Sequence, residues 1–420
     1  PGGSSPWYSF SPTEAQAPLI PVGWKVAFVP HANFSGTATL TFRAWDRSSG
    51  VAANLGDTTS NGGTTAFSTA TDTATFTVTA VNDAPVNDAP VNHAVNEDTV
   101  LAFTGGKKIS VSDVDATSLQ VTLTATNGTV SLGTSTGLTF TVNDATNEAT
   151  MTFSGTKADI NSALASIAFT PTTNFSGQAS LRIVTNDQGA TGSGGALGDD
   201  DTVTITVNAV NDAPQLAADD FEVAAVNEDA PAPVGAVGTL VSQIVDLAGG
   251  GGRDNVTDPD GPGLGIAVTD AYSANGIWHY SLDNGLNWLL LGSPSETSAR
   301  LLSGNARIYF QPNANFEGLA SISLRAWDQS AGGNGALADT SNPGGSTPYS
   351  TFIANAYVPV APINDAPAIA NLQGNSVTWT EGDAAKRIDA GADAIVSDID
   401  SPDYSGGSLT VAIGSALPQD

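Results

Sequence analysis

Alternating apolar and polar positions mark much of the chain as β-strand. The alternation is clear at residues 73–79, 202–207 and 321–326. Because side chains on a strand point to opposite faces in turn, such segments predict strands with one buried face. Thr, Val, Ser and Gly are abundant, whereas helix-forming residues are few. The predicted fold is therefore all-β.

One short helix is expected in each repeat. Thr156 and Asp159 form a helix-capping signature, and the apolar residues Ile160, Ala163, Leu164 and Ile167 follow at helical spacing. Residues 295–302 hold the counterpart one repeat later, with Ser295 and Glu296 leading to an apolar pair. The sequence thus predicts a helical turn at both places.

Short words recur along the chain in a fixed order. The word NFxG begins at residues 33, 174 and 315, that is, every 141 residues. NDAP words begin at 82, 87, 211 and 364, and acidic words of the type NED and D-x-D follow them in each repeat. A period of this length with several short strands predicts tandem β-sandwich domains of Greek-key type.

The repeat predicts how the chain is divided and joined. The predicted parts are the second half of a repeat at 1–81, a linker with the doubled word at 82–90, a repeat at 91–210, a repeat with a Gly-rich insertion at 211–363, and the first half of a repeat at 364–420. The two halves predict either a window on a longer periodic polypeptide or chains that complete one another head to tail. Both describe a linear rod. The doubled word predicts that the joint at 82–90 differs in mobility or angle from the joint at 211–214.

Charge narrows the choice of partners. Asp and Glu number 42 against 13 Lys and Arg, which gives a net charge of −29. Such a field repels nucleic acid and anionic membranes, and it favours cations. The sequence contains no run of 18 apolar residues, so no membrane-spanning segment is predicted. It contains no cysteine, which excludes disulfides and thiolate metal sites.

Oxygen-bearing side chains are concentrated at the joints. Ca²⁺ takes six to eight oxygen ligands from carboxylates, amides and backbone. NDAP alone is also a good turn sequence, since Asn, Asp and Pro favour turns without metal, but its recurrence in register with the acidic words favours calcium. The candidate ligands are Asn82, Asp83, Asn87, Asp88, Glu97, Asp98, Asp113, Asp115, Asp187, Asn211, Asp212, Glu228, Asp229, Asp258, Asp260, Asp328, Asn364, Asp365, Asp398 and Asp400.

These words resemble those of a known family. VNDAP, VNED, SDVDA at 112–116, FTPTTNFSG at 169–177 and TNDQG at 185–189 are similar to cadherin repeats, and more closely to the cadherin-like tandem repeats of large bacterial surface adhesins of the RTX and VCBS type. The resemblance implies Ig/cadherin-like sandwiches with Ca²⁺ between consecutive domains, in a secreted rod or filament at the bacterial cell surface. Its partners would be neighbouring repeats or identical chains in a linear polymer. The last repeat departs from the pattern, with EGD at 381–383 in place of NED.

Two other functional classes are weighed against this structural and adhesive role. A carbohydrate-binding array would use Trp278, Tyr280 and Trp288 as a platform, although the segment also fits a hairpin with its turn at 283–285. An enzyme is not expected, because the three histidines occupy different repeat positions and no serine elbow or metalloprotease motif is present. Trp45 and Trp327 are expected to pack in the core or at a domain end.

Overall fold

The computed structural model describes residues 7–411 except 190, 218, 248, 250, 251, 262, 390, 392, 402 and 404–406. It divides the chain into two compact units, Pro1–Ala209 and Val210–Asp420. Strands dominate the described residues, so the all-β sandwich prediction is confirmed. Parts of two predicted segments, 1–6 and 412–420, lie outside the described residues. The finer division into five parts stays a prediction.

Residues 7–81 of the first unit form two separate pairs of strands. Strand β1 pairs with β3, and β2 pairs with β4, both antiparallel. The predicted strand at 73–79 corresponds to β4. The strands are β1 (Ala17–Pro18), β2 (Gly36–Phe42), β3 (Leu55–Gly56) and β4 (Asp72–Val78).

Residues 82–209 form a β-sandwich. One sheet has the order β11-β12-β9-β14-β15-β6 and faces a sheet of order β10-β13-β7, while β5 pairs with β8. Their inward residues form one buried cluster that includes Leu123, Phe153 and Ile205. The elements are β5 (Val86–Asp88), β6 (Asn92–Asn96), β7 (Leu101–Ala102), β8 (Ser110–Ser112), β9 (Ser118–Thr126), β10 (Gly128–Leu132), β11 (Thr139–Val142), β12 (Thr150–Thr156), α1 (Lys157–Leu164), β13 (Ile167–Pro171), β14 (Gly177–Asn186) and β15 (Gly198–Asn208), with a 3₁₀ turn at Gly105–Lys107.

The second NDAP word lies inside this sandwich. Val86 pairs with Ser112 immediately after Pro85, just as Gln215 pairs with Thr257 after Pro214 in the next repeat. Residues 82–85 are therefore the linker word that corresponds to 211–214. The duplicate begins in β5, so it does not lengthen the joint; the expected difference in mobility or angle stays a prediction.

The predicted helix is confirmed in one repeat and wrong in the other. Thr156 caps α1 by accepting a hydrogen bond from Asp159 N at 3.2 Å. At residues 295–298, Ser295 and Ser298 instead close a tight backbone turn. The following pair, Leu301 and Leu302, lies on a strand and is buried in different clusters. Because both faces of this strand are buried, two consecutive residues are apolar. Helices show such pairs as well, which explains the wrong prediction.

Residues 210–363 repeat the sandwich. One sheet has the order β17-β28-β26-β21-β24-β27, with β18 also on β28, and faces a sheet of order β19-β25-β22-β23. The predicted strand at 321–326 lies in β26. The elements are β16 (Gln215–Leu216), β17 (Phe221–Glu222), β18 (Val226–Asn227), β19 (Thr239–Leu240), β20 (Val256–Thr257), β21 (Gly265–Ala271), β22 (Gly276–Ser281), β23 (Leu289–Leu290), β24 (Ala299–Ser303), β25 (Arg307–Pro312), β26 (Gly318–Trp327), β27 (Leu337–Ala338) and β28 (Ala354–Ala361), with a 3₁₀ turn at Val241–Gln243.

The Gly-rich insertion of this repeat is a loop, and the remaining segment is short. Asp254 closes the loop by accepting from Gly249 N at 2.8 Å; residues 248, 250 and 251 lie outside the described residues. Residues 364–411 contribute one antiparallel pair of strands, β29 (Ala368–Ala370) and β30 (Ile395–Ser397).

The NFxG word builds the same turn three times. Its Asn and its Gly both adopt positive φ, which these two residue types tolerate best. Phe175 and Phe316 pack against the cores of their sandwiches, whereas Phe34 is exposed. The φ angles are 63°, 56° and 57° at Asn33, Asn174 and Asn315, and 121°, 134° and 132° at Gly36, Gly177 and Gly318.

Replacing the helix cap tests this account of α1. Thr156→Ala removes an N-cap acceptor, which costs about 1 kcal/mol, so the amides of residues 157–165 should exchange about fivefold faster. Hydrogen exchange with mass spectrometry measures this. Thr117→Ala, at an exposed position, is the control. Equal exchange in both variants would mean that the cap does not hold the helix.

Candidate metal centre at the repeat joints

A buried Asn–Asp hydrogen bond attaches the linker words at 82–85 and 211–214 to the sandwich that follows each of them. Asn82 Nδ2 donates to Asp187 Oδ2 at 2.5 Å, and one repeat later Asn211 Nδ2 donates to Asp328 Oδ2 at 2.9 Å. All four side chains are buried or half-buried. The asparagine of NDAP is therefore the residue that fixes the linker to a late turn of the next domain.

Asp187 is held by backbone amides as well. Its Oδ1 accepts from Leu197 N at 2.8 Å and Gly189 N at 2.9 Å. Burial acts to raise the pKa of this carboxyl, but the bonds from Leu197, Gly189 and Asn82 outweigh it, so the pKa lies below its ordinary value. The carboxylate stays ionised inside the protein.

The D-x-D words form one turn in three copies. In each, the first aspartate accepts from the amide of the second: Asp113 from Asp115 at 2.9 Å, Asp258 from Asp260 at 2.9 Å and Asp398 from Asp400 at 3.0 Å. In the last two, the second aspartate accepts in turn from the linker, Asp260 from Asp212 N at 2.5 Å and Asp400 from Asp365 N. Backbone amides thus draw the carboxylates of two words together.

Four carboxylates meet near the linker at 211–214. Burial raises the pKa of Asp258, and the negative charges of Asp328, Asp260 and Asp212 raise it further. The Oδ2 atom of Asp258 is buried without a hydrogen-bond partner. A concentration of negative charge with an unsatisfied oxygen is the environment that a bound cation relieves.

The joint at 364–367 brings together carboxylates from three words. One oxygen each from Glu228, Asp365 and Asp400 lies within 4.8 Å of the others. Glu228 is almost fully buried, and its Oε1 accepts from Ile363 N at 2.7 Å. The cluster therefore joins β18, the linker and the following D-x-D turn.

The carboxyl of Asp365 has a raised pKa because of its place in this cluster. Burial raises the pKa of its carboxyl, and the charges of Asp229, Asp400, Glu228 and Asp398 raise it further. Its Oδ2 atom is buried and has no hydrogen-bond partner. Five carboxylates from three parts of the sequence thus lie close together: Glu228, Asp229, Asp365, Asp398 and Asp400.

The aspartate of NED has a structural task. Asp98 Oδ1 accepts from Asn174 N at 3.2 Å, and Asp229 Oδ1 accepts from Asn315 N at 2.9 Å. Both aspartates have positive φ, 55° and 57°. The word therefore connects the first strand to the NFxG turn, a role that the sequence pattern alone did not reveal.

The other candidates lie in varied surroundings. Thr185 Oγ1 donates to Asn87 Oδ1 at 2.5 Å, so Asn87 is engaged inside the sandwich, and Asp88 beside it is exposed. Asp83 is half-buried, Glu97 is buried at the end of β6, and Asn364 Nδ2 donates to Asp365 O at 2.8 Å.

Two polar residues near these sites were missed by the sequence analysis. Lys157 Nζ donates to Asp113 O at 2.6 Å, and Asp199 Oδ2 accepts from Asn87 N at 2.8 Å. Neither belongs to a recurring word. The sequence offered one signal, the acidic run at 199–201. This run and the duplicated NDAP word occur together in this repeat alone.

The aromatic platform of the glycan-binding alternative is not formed. Trp278 and Tyr280 are buried in the core of their sandwich, and Trp288 Nε1 donates to Gly235 O at 3.1 Å. Buried rings cannot stack on a sugar, so the hairpin interpretation of this segment is correct, with β22 paired to β23. Trp327 is likewise core, and Trp45 is half-buried.

Comparison with known proteins gives only distant structural matches. No family model matches the chain, and no curated protein matches it. Human mucin-like protocadherin EC1-2 is 13% identical, with 66% of this chain and 98% of that chain covered and a TM-score of 0.32. Human CDH23 EC21-23 is 13% identical, with 77% and 82% covered and a TM-score of 0.35; mouse cadherin-23 EC22-24 is 15% identical, with 70% and 70% covered and a TM-score of 0.29. Likeness at this level carries no functional weight. Among the described residues, no helix is long and apolar enough to cross a membrane.

The buried Asn–Asp bond predicts a specific cost. Asp187→Ala leaves two buried amides and the Asn82 side chain without an acceptor, which should lower the free energy of unfolding by about 3 kcal/mol. Scanning calorimetry measures the change. Asp88→Ala, at an exposed site in the same repeat, should change it by no more than about 0.5 kcal/mol.

The depressed pKa of Asp187 fixes the pH dependence. Its stabilising contribution is complete above the unfolded-state pKa of about 3.9 and is lost as the pH falls through the lower folded-state pKa. The gap in melting temperature between wild type and Asp187→Asn should be constant from pH 7 to 5 and shrink below about pH 4. A gap unchanged at the lowest pH would contradict the ionised carboxylate.

Proposed function

We propose that this protein is a structural, adhesive repeat protein whose joints are stiffened by Ca²⁺, and that it forms an extracellular rod or filament at a bacterial cell surface. The observation that carries the proposal is the cluster of Glu228, Asp365 and Asp400, whose oxygens lie within 4.8 Å of one another although they come from three separate words. The burial of Trp278 and Tyr280 removes support for the glycan array.

The donor set of this cluster suits calcium. All the available groups are hard oxygens, and Asp229 and Asp398 lie close enough to act on the pKa of Asp365. Such a set fits Ca²⁺, which accepts six to eight oxygens in a flexible arrangement, better than it fits Zn²⁺ or the stricter octahedron of Mg²⁺. The buried, unpartnered Oδ2 of Asp365 is the position that an ion would satisfy.

A cation at this point would restrict three elements at once. Glu228 is bound to the exit of one domain through Ile363 N, Asp365 belongs to the linker, and Asp400 belongs to the turn that follows. One ion shared by these carboxylates would limit rotation of the linker. The same words recur at the earlier NDAP linkers, so we propose further ions along the chain and, as the candidate partners, neighbouring repeats or identical chains assembled head to tail.

Calcium should raise the melting temperature. An ion that binds only the folded state stabilises it by about 2.7 kcal/mol at a free concentration of 100 Kd, and extracellular sites of this type have Kd values of roughly 10⁻⁴–10⁻³ M. Calorimetry with excess Ca²⁺ and then with chelator measures the shift. Glu228→Gln should reduce it, whereas Asp270→Asn, at an exposed position of β21, should not. An identical midpoint with calcium and with chelator would refute the proposal.

The effect of Asp365→Asn should change sign with calcium. Because the folded-state pKa of Asp365 is raised, its contribution to stability without metal is full below the unfolded pKa and falls as the pH rises through the folded pKa. At neutral pH in chelator, Asp365→Asn should therefore melt at a higher temperature than wild type. With excess Ca²⁺ the order should reverse, since the variant lacks a ligand. A variant that melts lower under both conditions would indicate a purely structural aspartate.

A further inference from the structure

The two sandwiches differ in one packed element. In the sandwich at 82–209, α1 connects β12 to β13 and lies against β9 and β12. Among the described residues of 210–363, no α-helix corresponds to α1; the 3₁₀ turn Val241–Gln243 lies against β21 and β24 instead. Because β9 pairs with β12 as β21 pairs with β24, the two elements hold corresponding places. The 3₁₀ turn contains no charged residue, whereas α1 begins with a lysine.

The helix itself disfavours a positive charge at this position. Lys157 is the first residue of α1 and directly follows the cap, Thr156. Because the N-terminal end of a helix carries a positive partial charge, it favours anions and disfavours cations. Asp159 in the same turn follows this preference. The stability of α1 therefore does not explain Lys157, and a contact outside the helix is needed to explain it.

The D-x-D turn at 113–115 provides that contact. Lys157 is half-buried, and its Nζ donates to Asp113 O at 2.6 Å. The turn is closed by Asp113 Oδ1, which accepts from Asp115 N at 2.9 Å and from Ala116 N at 2.8 Å. Asp113 Oδ2 and Asp115 Oδ1 are buried without a hydrogen-bond partner. The lysine thus brings a positive charge beside two carboxylates that hydrogen bonds leave partly unsatisfied.

The corresponding turn of the other sandwich has the carboxylates without the lysine. Asp258 Oδ1 accepts from Asp260 N at 2.9 Å, which closes the same turn, and Asp258 Oδ2 is buried without a hydrogen-bond partner. Burial raises the pKa of Asp258, and the charges of Asp328, Asp260 and Asp212 raise it further. Among the described residues, no Lys or Arg side chain donates a hydrogen bond to this turn. Its negative charges therefore lack the cation that the first sandwich supplies from within.

We propose that Lys157 is a built-in cation of the D-x-D turn at 113–115, so that this turn stays closed without Ca²⁺, whereas the turn at 258–260 needs the ion. The ammonium contacts the turn through a carbonyl, so it acts on the two carboxylates through space and offsets part of their repulsion. At low calcium the linker at 82–85 keeps its attachment, and the linker at 211–214 loosens. This inference rests on the calcium-stiffened joints proposed above and states which of them depends on the ion.

Hydrogen exchange with mass spectrometry on the full chain compares the two turns. The readouts are the peptides that contain Asp115 and Asp260, whose amides close the turns. Wild type is measured at a free Ca²⁺ concentration of about 10 Kd and then in chelator. Removal of the ion should accelerate exchange at Asp260 about tenfold, since a ligand at that concentration protects the folded state by this factor. Exchange at Asp115 should stay the same.

Two substitutions of Lys157 separate its charge from its hydrogen bond. Lys157→Gln keeps a neutral donor and removes the charge, so in chelator it should accelerate exchange at Asp115 about tenfold, the effect of losing a hydrogen bond to a charged group. Lys157→Arg keeps both the charge and a donor, and exchange at Asp115 should stay within about twofold of wild type. Circular dichroism verifies that both variants fold.

The control variant and the chelator arm distinguish this role from a general effect of charge and from the calcium proposal. Lys108→Gln removes a charge at an exposed position of the same sandwich and should change neither peptide. An Asp260 peptide that exchanges equally with Ca²⁺ and in chelator would count against calcium at that joint, while the Lys157 comparison, made in chelator, stays decisive. Equal exchange at Asp115 in Lys157→Gln and wild type would overturn the role of Lys157. So would a wild-type Asp115 peptide that accelerates in chelator as much as the Asp260 peptide.

Discussion

The hydrogen bonds that backbone amides donate to aspartate oxygens are the interactions on which the joints depend. They draw like charges together: Asp400 accepts from Asp365 N, Asp398 accepts from Asp400 N at 3.0 Å, and Glu228 accepts from Ile363 N at 2.7 Å. Each bond stabilises an ionised carboxylate, but each also brings that charge closer to the next. Burial raises the pKa of Asp365, and the repulsion that remains raises it further. The hydrogen bonds at this joint therefore hold negative charges close together, which costs free energy unless a cation is present.

The asparagine of the linker word resolves a different problem. A linker between two sandwiches has few contacts of its own, so its direction must be fixed by side chains. Asn82 and Asn211 do this by donating to a buried aspartate in a late turn of the following domain. Because the pKa of Asp187 is lowered and its carboxylate is ionised, the bond from Asn82 is charge-assisted and stronger than one between neutral groups. These bonds thus fix the linker word to the domain that follows it.

Much of the architecture could be predicted from the sequence because strands, turns and repeats leave local signals. Alternation identified β4, β15 and β26, and the capping pair of Thr156 and Asp159 identified α1. The signal failed at Leu301 and Leu302, where burial on both faces of a strand produces an apolar pair that helices also show. It also failed at the second NDAP word, because only pairing partners reveal that Val86 stands where Gln215 does.

The candidate ligands illustrate the same limit. Spacing identified the recurring acidic words, but it could not separate Glu228, whose oxygen lies close to those of Asp365 and Asp400, from Asp98 and Asp229, whose oxygens hold the NFxG turn. That distinction depends on which side of a strand end each side chain occupies, and a positive φ at both aspartates sets it. A three-residue word with two acids can therefore serve two purposes: the glutamate supplies charge to the joint, and the aspartate connects the first strand to a turn 76 or 86 residues away. The fold by itself gives a reason for the recurrence of NED, so recurrence alone could not assign metal ligands.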